Sequence, residues 1–324
     1  MKAIVCQELS QKLVFTDFAK PLFNENQILI KSHFCGITFP DWLMVQGKYQ
    51  FQPPLPFVVG GEVAGIVEEV GKNVKNIKKG DRVFANVRFG AFAEYVVSEN
   101  FRTFPIQNVP FEQAAGIPTN YGTAFYALTE RANLQANESL AILGASGGVG
   151  MAAIQIGKIL GAKIIAIASK DEKLAVCKEN GADFCLNLTN HDLKTELKKI
   201  TDGKGVDVVL DLVGGNYSEL LVRSMARNGR FLVTGFVSGE IPKIALNLIL
   251  LKSCQLLGVF WTDFVLNNPQ KSQEHFQKLI SYLQNKQIKP PIYQIFGMEQ
   301  INEAFQVFSE RKVVGKILLD TRLS

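Results

Sequence analysis

The sequence predicts an α/β protein built from one mostly-β region and one doubly wound parallel sheet. Three observations carry this expectation. The first third holds short apolar runs broken by Gly and Pro, the period changes near Phe111, and a strand runs directly into a glycine-rich loop at residues 144–150. With 324 residues, 47% of them hydrophobic, the chain can bury a large core and is long enough for two domains.

In chain order, apolar runs at residues 3–6, 27–32, 65–70, 82–85 and 92–97 read as short strands. Gly71 with Asn73, and Gly80-Asp81, supply turns, because Gly and Asn tolerate positive φ and Asp can accept from nearby amides. Residues 112–128 are Ala-rich and suit helices. Strand candidates follow at 140–143, 162–168, 206–212, 229–234 and 255–261, alternating with helical segments. Each is apolar enough to be covered on both faces, as parallel strands are. Residues 272–285 read as an amphipathic helix, Pro290-Pro291 prevents 288–296 from continuing it, and a helix at 298–310 precedes a last strand at 313–320. The expected organisation is a first domain over 1–118, a nucleotide-binding domain over 119–261, and a tail over 262–324 that returns to the first.

Composition narrows the function. A net charge of +5, from 35 basic and 30 acidic residues spread along the chain, gives no stripe for nucleic acid. Five cysteines, odd in number and far apart in apolar surroundings, suggest buried free thiols rather than a disulfide framework. The first 15 residues read neither as a signal peptide nor as a membrane span. A soluble cytoplasmic protein is expected.

The strongest local signal is the strand at 140–143 leading into Gly144-Ala145-Ser146-Gly147-Gly148-Val149-Gly150 and then a helix. Gly147 and Gly148 let backbone amides approach a pyrophosphate, and Gly150 permits close packing of helix on strand. The helix N-terminus adds unpaired donors and a favourable dipole. Ala145 stands where the commonest fingerprint has its first Gly, which the turn can absorb if Ala145 keeps negative φ. A dinucleotide fits that geometry. The next strand ends at Ala168, where an NAD site places a carboxylate on the ribose hydroxyls, and Ser169, Lys170 and Lys173 follow. A hydroxyl and two cations suit a 2′-phosphate, so NADPH is expected over NADH.

These residues, with Gly60-Gly61-Glu62-Val63-Ala64-Gly65, Lys79-Gly80-Asp81-Arg82-Val83, Ala91-Phe92-Ala93-Glu94-Tyr95, Thr123-Ala124, Asp211-Leu212-Val213-Gly214-Gly215 and Gly315-Lys316, mark a resemblance. Over nearly the whole chain the sequence resembles the zinc-free NADPH:quinone oxidoreductases of the medium-chain dehydrogenase/reductase superfamily. That resemblance implies a GroES-like mostly-β catalytic domain formed by both chain ends, an inserted Rossmann domain, and an active site in the cleft between.

Where the zinc alcohol dehydrogenases of that superfamily have their catalytic ligands, this chain aligns Thr38, Gly61 and Ala115, none of which offers a thiolate or imidazole. The cysteine-rich zinc lobe is missing between Phe84 and Phe92, and Glu62 alone cannot hold a metal. His33, His191 and His275 are scattered. Without a Lewis acid, reduction of an electron-poor acceptor is easier than oxidation of an alcohol, so the substrate class is quinones or conjugated carbonyls.

The resemblance makes residues 36–49 the nicotinamide-side loop. Thr38, where the family has Asn, and Tyr49, a proton donor or a packing aromatic, are the catalytic candidates; Asp41 orients this loop or closes an ordinary turn. The cofactor-binding set is Thr119, Thr123, Ser146, Gly147, Gly148, Val149, Gly150, Ser169, Lys170, Lys173, Val213, Gly235, Phe236, Phe260, Trp261 and Lys316. Leu188 stands where relatives often have Tyr. The rival readings are an enoyl-CoA or other enoyl-thioester reductase, which Tyr49 also fits, and a non-catalytic crystallin-like or RNA-binding role. The apolar strand at 255–261 would leave an exposed sheet edge, which suggests a homodimer.

Overall fold

The described residues of the chain, 1–190 and 192–323 of a computed structural model, form two compact units, Met1–Thr119 with Asn268–Ser324 and Asn120–Asn267. His191 lies outside the described residues.

In the first unit, Gln27–Ile37 is the organising strand. It pairs antiparallel with Glu62–Val70, with Tyr95–Glu99 and with the C-terminal strand Lys316–Asp320, which itself carries Ile292–Gly297 in parallel. Arg82–Asn86 and Thr103–Pro105 complete this seven-stranded sheet. Val14–Asp17, Lys2–Cys6 and Phe57–Val58 form a separate three-stranded one. Alternating apolar positions of these strands meet in one core that includes Ile30, Ile37, Val63, Val83, Phe92, Ile317 and Leu319, each 2% exposed or less. A second contact layer is aromatic. Phe276, from the helix Pro269–Gln284, packs on Phe104 at 4.5 Å and Phe84 at 5.3 Å between ring centroids.

The organising strand is longer than the apolar run at 27–32 suggested. Its second half, Ser32 to Ile37, contains His33 and Gly36 and so lacks a clean alternation, yet it is paired along one edge by Lys316–Asp320. The helix Pro269–Gln284 stops six residues before Pro290, and 288–296 does not continue it, as expected; Ile292–Gly297 forms a strand that the sequence leaves unassigned. Helix 298–310 divides into a 3₁₀ turn, Met298–Gln300, and the α-helix Ile301–Ser309.

The second unit is a six-stranded parallel sheet in the order Phe184–Asn187, Lys163–Ala168, Ser139–Leu143, Val206–Asp211, Met225–Val233, Gln255–Gly258. Counted along the unit this is 3-2-1-4-5-6, so the direction of winding reverses between Ser139–Leu143 and Val206–Asp211. Ile142, Leu143, Ile165, Ile167, Val209 and Leu210 are all fully buried, as a sheet covered on both faces requires.

One strand departs from that expectation. Gln255–Gly258 exposes most of its residues and stops at Gly258; Trp261 begins the helix Trp261–Asn267 instead of ending the strand. Its rings decide this: Trp261 stacks on Phe264 at 5.6 Å within the helix, and a side chain at Gly122 would overlap the indole. The short edge strand Phe184–Asn187 was not legible in the sequence, because half of its four residues are only partly buried.

Candidate functional site

The second unit holds a candidate phosphate cradle. Gly144 takes φ +83 and the amides of Gly144 and Ala145 both donate to the Ile167 carbonyl, at 3.0 and 3.2 Å, which pins the turn to the neighbouring strand. Ala145 is not among the positive-φ residues; Gly144, one position earlier, performs the turn, so the missing first glycine costs nothing. A Cβ on Gly150 would lie 2.5 Å from the carbonyls of Gly144 and Ala145, and one on Gly148 would overlap the Asn120 amide. Gly147 faces open space apart from a carbonyl 3.5 Å from its would-be Cβ.

The helix Gly148–Ile159 that starts here has Gly147 as N-cap and no side-chain cap, and its first intrahelical donor is Met151, to Gly147 at 2.8 Å. The Gly148, Val149 and Gly150 amides therefore precede the helix's own hydrogen bonding, and with the N-terminal dipole they fit a pyrophosphate. They lie after the first strand at the reversal of winding, where open α/β sheets bind ligands. Ser146 is 7% exposed in the loop and Thr123 is 8% exposed on the helix Asn120–Phe125.

Across the reversal, Asp211 at the end of its strand accepts from Val213 N at 2.9 Å, Gly214 N at 2.8 Å and Ser218 Oγ at 2.5 Å. This buried carboxylate holds Val213 in the turn beside Gly144, whose would-be Cβ is 2.9 Å from Val213 Cγ2. Gly235 and Phe236 follow the next strand, half-buried, while Phe260 is 51% exposed and Trp261 is buried. The motif alone gives Asp211 no role; its position as the last residue of the apolar strand Val206–Asp211 is the sequence signal for one.

At the end of the strand Lys163–Ala168, Ala168 is 4% exposed and is followed by exposed Ser169 and Lys170. The nearest acid is already engaged: Asp171 accepts from Asn187 Nδ2 at 2.7 Å. Lys170 pairs loosely with Glu172 at 3.4 Å, both well exposed. Lys173 is buried at the third position of the helix Asp171–Glu179; desolvation first, and the charge of Lys170 second, hold its ammonium below the usual lysine range.

The first unit contributes a buried polar cluster. Thr38 is the N-cap of the helix Phe39–Val45 and forms a capping box with Asp41: Thr38 N and Oγ1 donate to Asp41 Oδ2 at 2.8 and 2.6 Å, and Asp41 N donates to Thr38 Oγ1 at 3.3 Å. The spacing Thr38-Phe39-Pro40-Asp41, with Pro near the helix start, was the sequence signal for it. Asp41 is 2% exposed, and burial pushes its carboxyl up to about 7. The two Thr38 hydrogen bonds and Lys316 oppose that rise while Glu62 adds to it.

Glu62 is fully buried at the start of its strand. Its Oε2 accepts from Lys316 Nζ and its Oε1 from the amide of Thr119, both in short contacts. Gly36 makes room for this: a Cβ there would overlap Glu62 Oε2, Lys316 Cε and the Ala115 carbonyl. Lys316, expected at the cofactor, thus has its ammonium on Glu62, and no feature of Glu62 in the sequence named a partner 254 positions away. Thr119 is half-buried, with Asn86 Nδ2 3.4 Å from its Oγ1. Tyr49 follows the helix in a bend, half-buried against the core.

Thr38, Gly61 and Ala115 all border this cluster, since a Cβ on Gly61 would lie 3.6 Å from Asp41 Oδ1. Among the described residues, no three His, Cys, Asp or Glu side chains come together as a metal site would need. His33 is half-buried and His275 is buried in the helix Pro269–Gln284. All five thiols are free, with Cys185 alone partly exposed. No helix among the described residues is long and apolar enough to cross a membrane.

One unit with a parallel 3-2-1-4-5-6 sheet and a glycine-rich turn at its reversal, and another with a GroES-like sheet closed by the C-terminal strand, are the two folds of a medium-chain dehydrogenase/reductase. Residues 24–108 match the alcohol dehydrogenase GroES-like domain family and residues 148–285 the zinc-binding dehydrogenase family. The quinone oxidoreductase-like protein 2 homolog of Nematostella vectensis is 37% identical over 99% of this chain and 89% of its own length. Human quinone oxidoreductase is 31% identical over 94% of this chain and 92% of its own. The solved structure of Escherichia coli quinone oxidoreductase complexed with NADPH has 28% identity and a TM-score of 0.91, covering 99% of this chain and 100% of that one. The chain belongs to the quinone oxidoreductase family of the medium-chain dehydrogenase/reductases.

Proposed function

We propose that the protein reduces quinones and other conjugated carbonyls with NADPH, by direct hydride transfer and without zinc. The observation that carries this reading is the uncapped helix start at Gly148–Ile159, set at the winding reversal beside a strand that ends in Ala168 rather than a carboxylate. The amides of Gly148, Val149 and Gly150 would hold the pyrophosphate. Ser169, Lys170 and Lys173 would receive the 2′-phosphate, an anion that a carboxylate at Ala168 would repel. Bound NADPH supplies a hydride from C4 of its nicotinamide.

Zinc independence rests on donor chemistry. Thr38, Gly61 and Ala115 carry neither thiolate nor imidazole, and the positive charge in their midst is the Lys316 ammonium, already neutralised by Glu62. Five free thiols fit a reducing cytoplasm. The edge strand Gln255–Gly258 would be covered by a second copy in a homodimer, and the residues that precede it in the chain include Ile241, Leu246, Leu250 and Leu251 at 70–78% exposure; light scattering tests this. Thr119, Thr123, Val213, Gly235, Phe236, Phe260 and Trp261 would complete the cofactor contacts, and Thr38 and Tyr49 the substrate side.

The experiment is NADPH and NADH oxidation against quinones, enones and enoyl-CoA thioesters, before and after treatment with a zinc chelator. Turnover of quinones or enones with NADPH, unaffected by the chelator, is the expected result. Turnover of thioesters alone, or loss of activity on chelation, would replace this reading. Tyr49→Phe separates the two acceptors: a large loss with enones and a small one with quinones is expected if Tyr49 donates the proton only where water cannot.

A further inference from the structure

We propose that Asn120 is a further cofactor-binding residue, whose carboxamide nitrogen donates to the pyrophosphate that NADPH and NADH have in common. The inference rests on the reading of Gly148, Val149 and Gly150 as the phosphate cradle, and adds a side-chain donor to those backbone amides.

The three glycines of the loop differ in what stands where a side chain would be. A Cβ on Gly147 would meet nothing nearer than a carbonyl at 3.5 Å, and one on Gly150 would run into the carbonyls of Gly144 and Ala145. At Gly148 the obstacle is a side chain. The Asn120 carboxamide fills that space, with Cγ 2.7 Å and Oδ1 2.9 Å from the would-be atom and Nδ2 closer still. Gly148 thus leaves room for a polar group at the first free amide of the helix Gly148–Ile159.

Neighbouring contacts hold Asn120 in that place. It opens the helix Asn120–Phe125, in which Tyr121 is 1% exposed and donates from Oη to Gln155 Oε1 at 2.7 Å. Gln155 lies about two turns beyond Gly148 on the cradle helix. Gly122 is closed over by the Trp261 indole. The two helices are therefore fixed against each other, and Asn120 stays beside the cradle.

No structural role uses the carboxamide. It is half-buried, and among the described residues it neither donates nor accepts a hydrogen bond. An Asn that capped a helix start would accept from one of the first amides, and Asn120 accepts from none. Polar side chains withdrawn from water normally find a partner, because an unmade hydrogen bond costs free energy. A carboxamide with no protein partner can turn Nδ2 outward, and a donor beside three free backbone amides makes a surface that an anion satisfies.

The test titrates NADPH and NADH into wild type, Asn120→Ala, Asn120→Asp and Gly150→Ala, by calorimetry. Asn120→Ala should weaken both dinucleotides equally, about tenfold, since the pyrophosphate is the same in each. Asn120→Asp keeps the shape but sets a carboxylate against the phosphates, and should weaken both about 100-fold. Melting temperatures of the cofactor-free variants identify any that merely misfold.

A second readout uses wild type alone. With 15N-labelled asparagine, the Asn120 side-chain NH2 signals, assigned through bonds to their own backbone, should move on addition of ADP-ribose, which carries the pyrophosphate without the nicotinamide. Adenosine, which carries no phosphate, should leave them in place. Full affinity in Asn120→Ala, a loss confined to NADPH, NH2 signals that ignore ADP-ribose, or signals that follow adenosine equally would overturn the assignment. Gly150→Ala binding both dinucleotides as tightly as wild type would overturn the cradle reading itself, a result distinct from a weak Gly150→Ala beside an unchanged Asn120→Ala.

Discussion

The two units build their candidate sites from different materials. In Asn120–Asn267 the phosphate cradle is backbone: amides at 148–150, carbonyls of Gly144 and Ala145, and a turn pinned to Ile167. Every part lies within one strand-turn-helix segment and its neighbouring strands. In the other unit the polar cluster is side chain, with Thr38, Asp41, Glu62 and Lys316 taken from the helix start, one strand and the opposite end of the chain, and it buries three ionisable groups in a hydrophobic sheet. Backbone donors tolerate many sequences but forbid a Cβ where neighbours crowd in, as at Gly148 and Gly150. Buried charges tolerate volume changes but forbid the loss of a partner.

The largest effect should come from breaking the side-chain cluster. Lys316→Met leaves Glu62 buried without its cation and should cost about 3–5 kcal/mol, seen as a fall in melting temperature of roughly 10 °C. Glu62→Gln with Lys316→Met should recover most of that loss; a double variant as unstable as the sum of the singles would show that the pair is not a unit.

Next is the pH dependence of stability. Asp41 binds its proton more tightly folded than unfolded, so its contribution is complete below the ordinary carboxyl range and is lost as pH rises through about 7. Between about pH 5 and about pH 8, wild type should lose roughly 3 kcal/mol relative to Asp41→Asn, by denaturant titration. Parallel curves for the two proteins would remove the raised carboxyl from the account.

The backbone half breaks at a single methyl. Gly150→Ala places a Cβ 2.5 Å from two carbonyls, so the helix must move away from the strand and the amides from the phosphate. NADPH affinity should fall about 100-fold by titration calorimetry, more than for any single surface charge. Gly147→Ala, with open space at its Cβ, is the control and should bind nearly as wild type. The smallest effect belongs to the specificity end: Lys173→Ala should raise KM for NADPH about tenfold and leave NADH unchanged. Equal changes in both would mean that Lys173 supports the helix only.

Much of the parallel sheet was legible because its strands are apolar on both faces and its loop is a contiguous motif. The failures are instructive. Residues 255–261 were apolar enough for a whole strand, but the rings of Trp261, Phe264 and Tyr126 pack better as a helix, so the strand ends at Gly258. Phe184–Asn187 is short and half-polar at the sheet edge, where periodicity carries little signal. The second half of Gln27–Ile37 is a strand because Lys316–Asp320 pairs with it, a reason located at the other end of the chain.

The sequence by itself determined the class of the protein. The glycine spacing at 144–150, the missing acid at Ala168 and the residues at 38, 61 and 115 are local choices, and their steric and donor chemistry can be read one residue at a time. Tertiary structure alone decided what stands among those last three positions. Glu62 turns to Lys316 and to Thr119, because these contacts depend on which strands lie side by side and on charges that must find partners once buried; the Thr38–Asp41 capping box, three residues apart, is the local exception. Pairing across 254 positions leaves no mark in local pattern, and the buried ion pair became visible only when the C-terminal strand was laid against the first sheet.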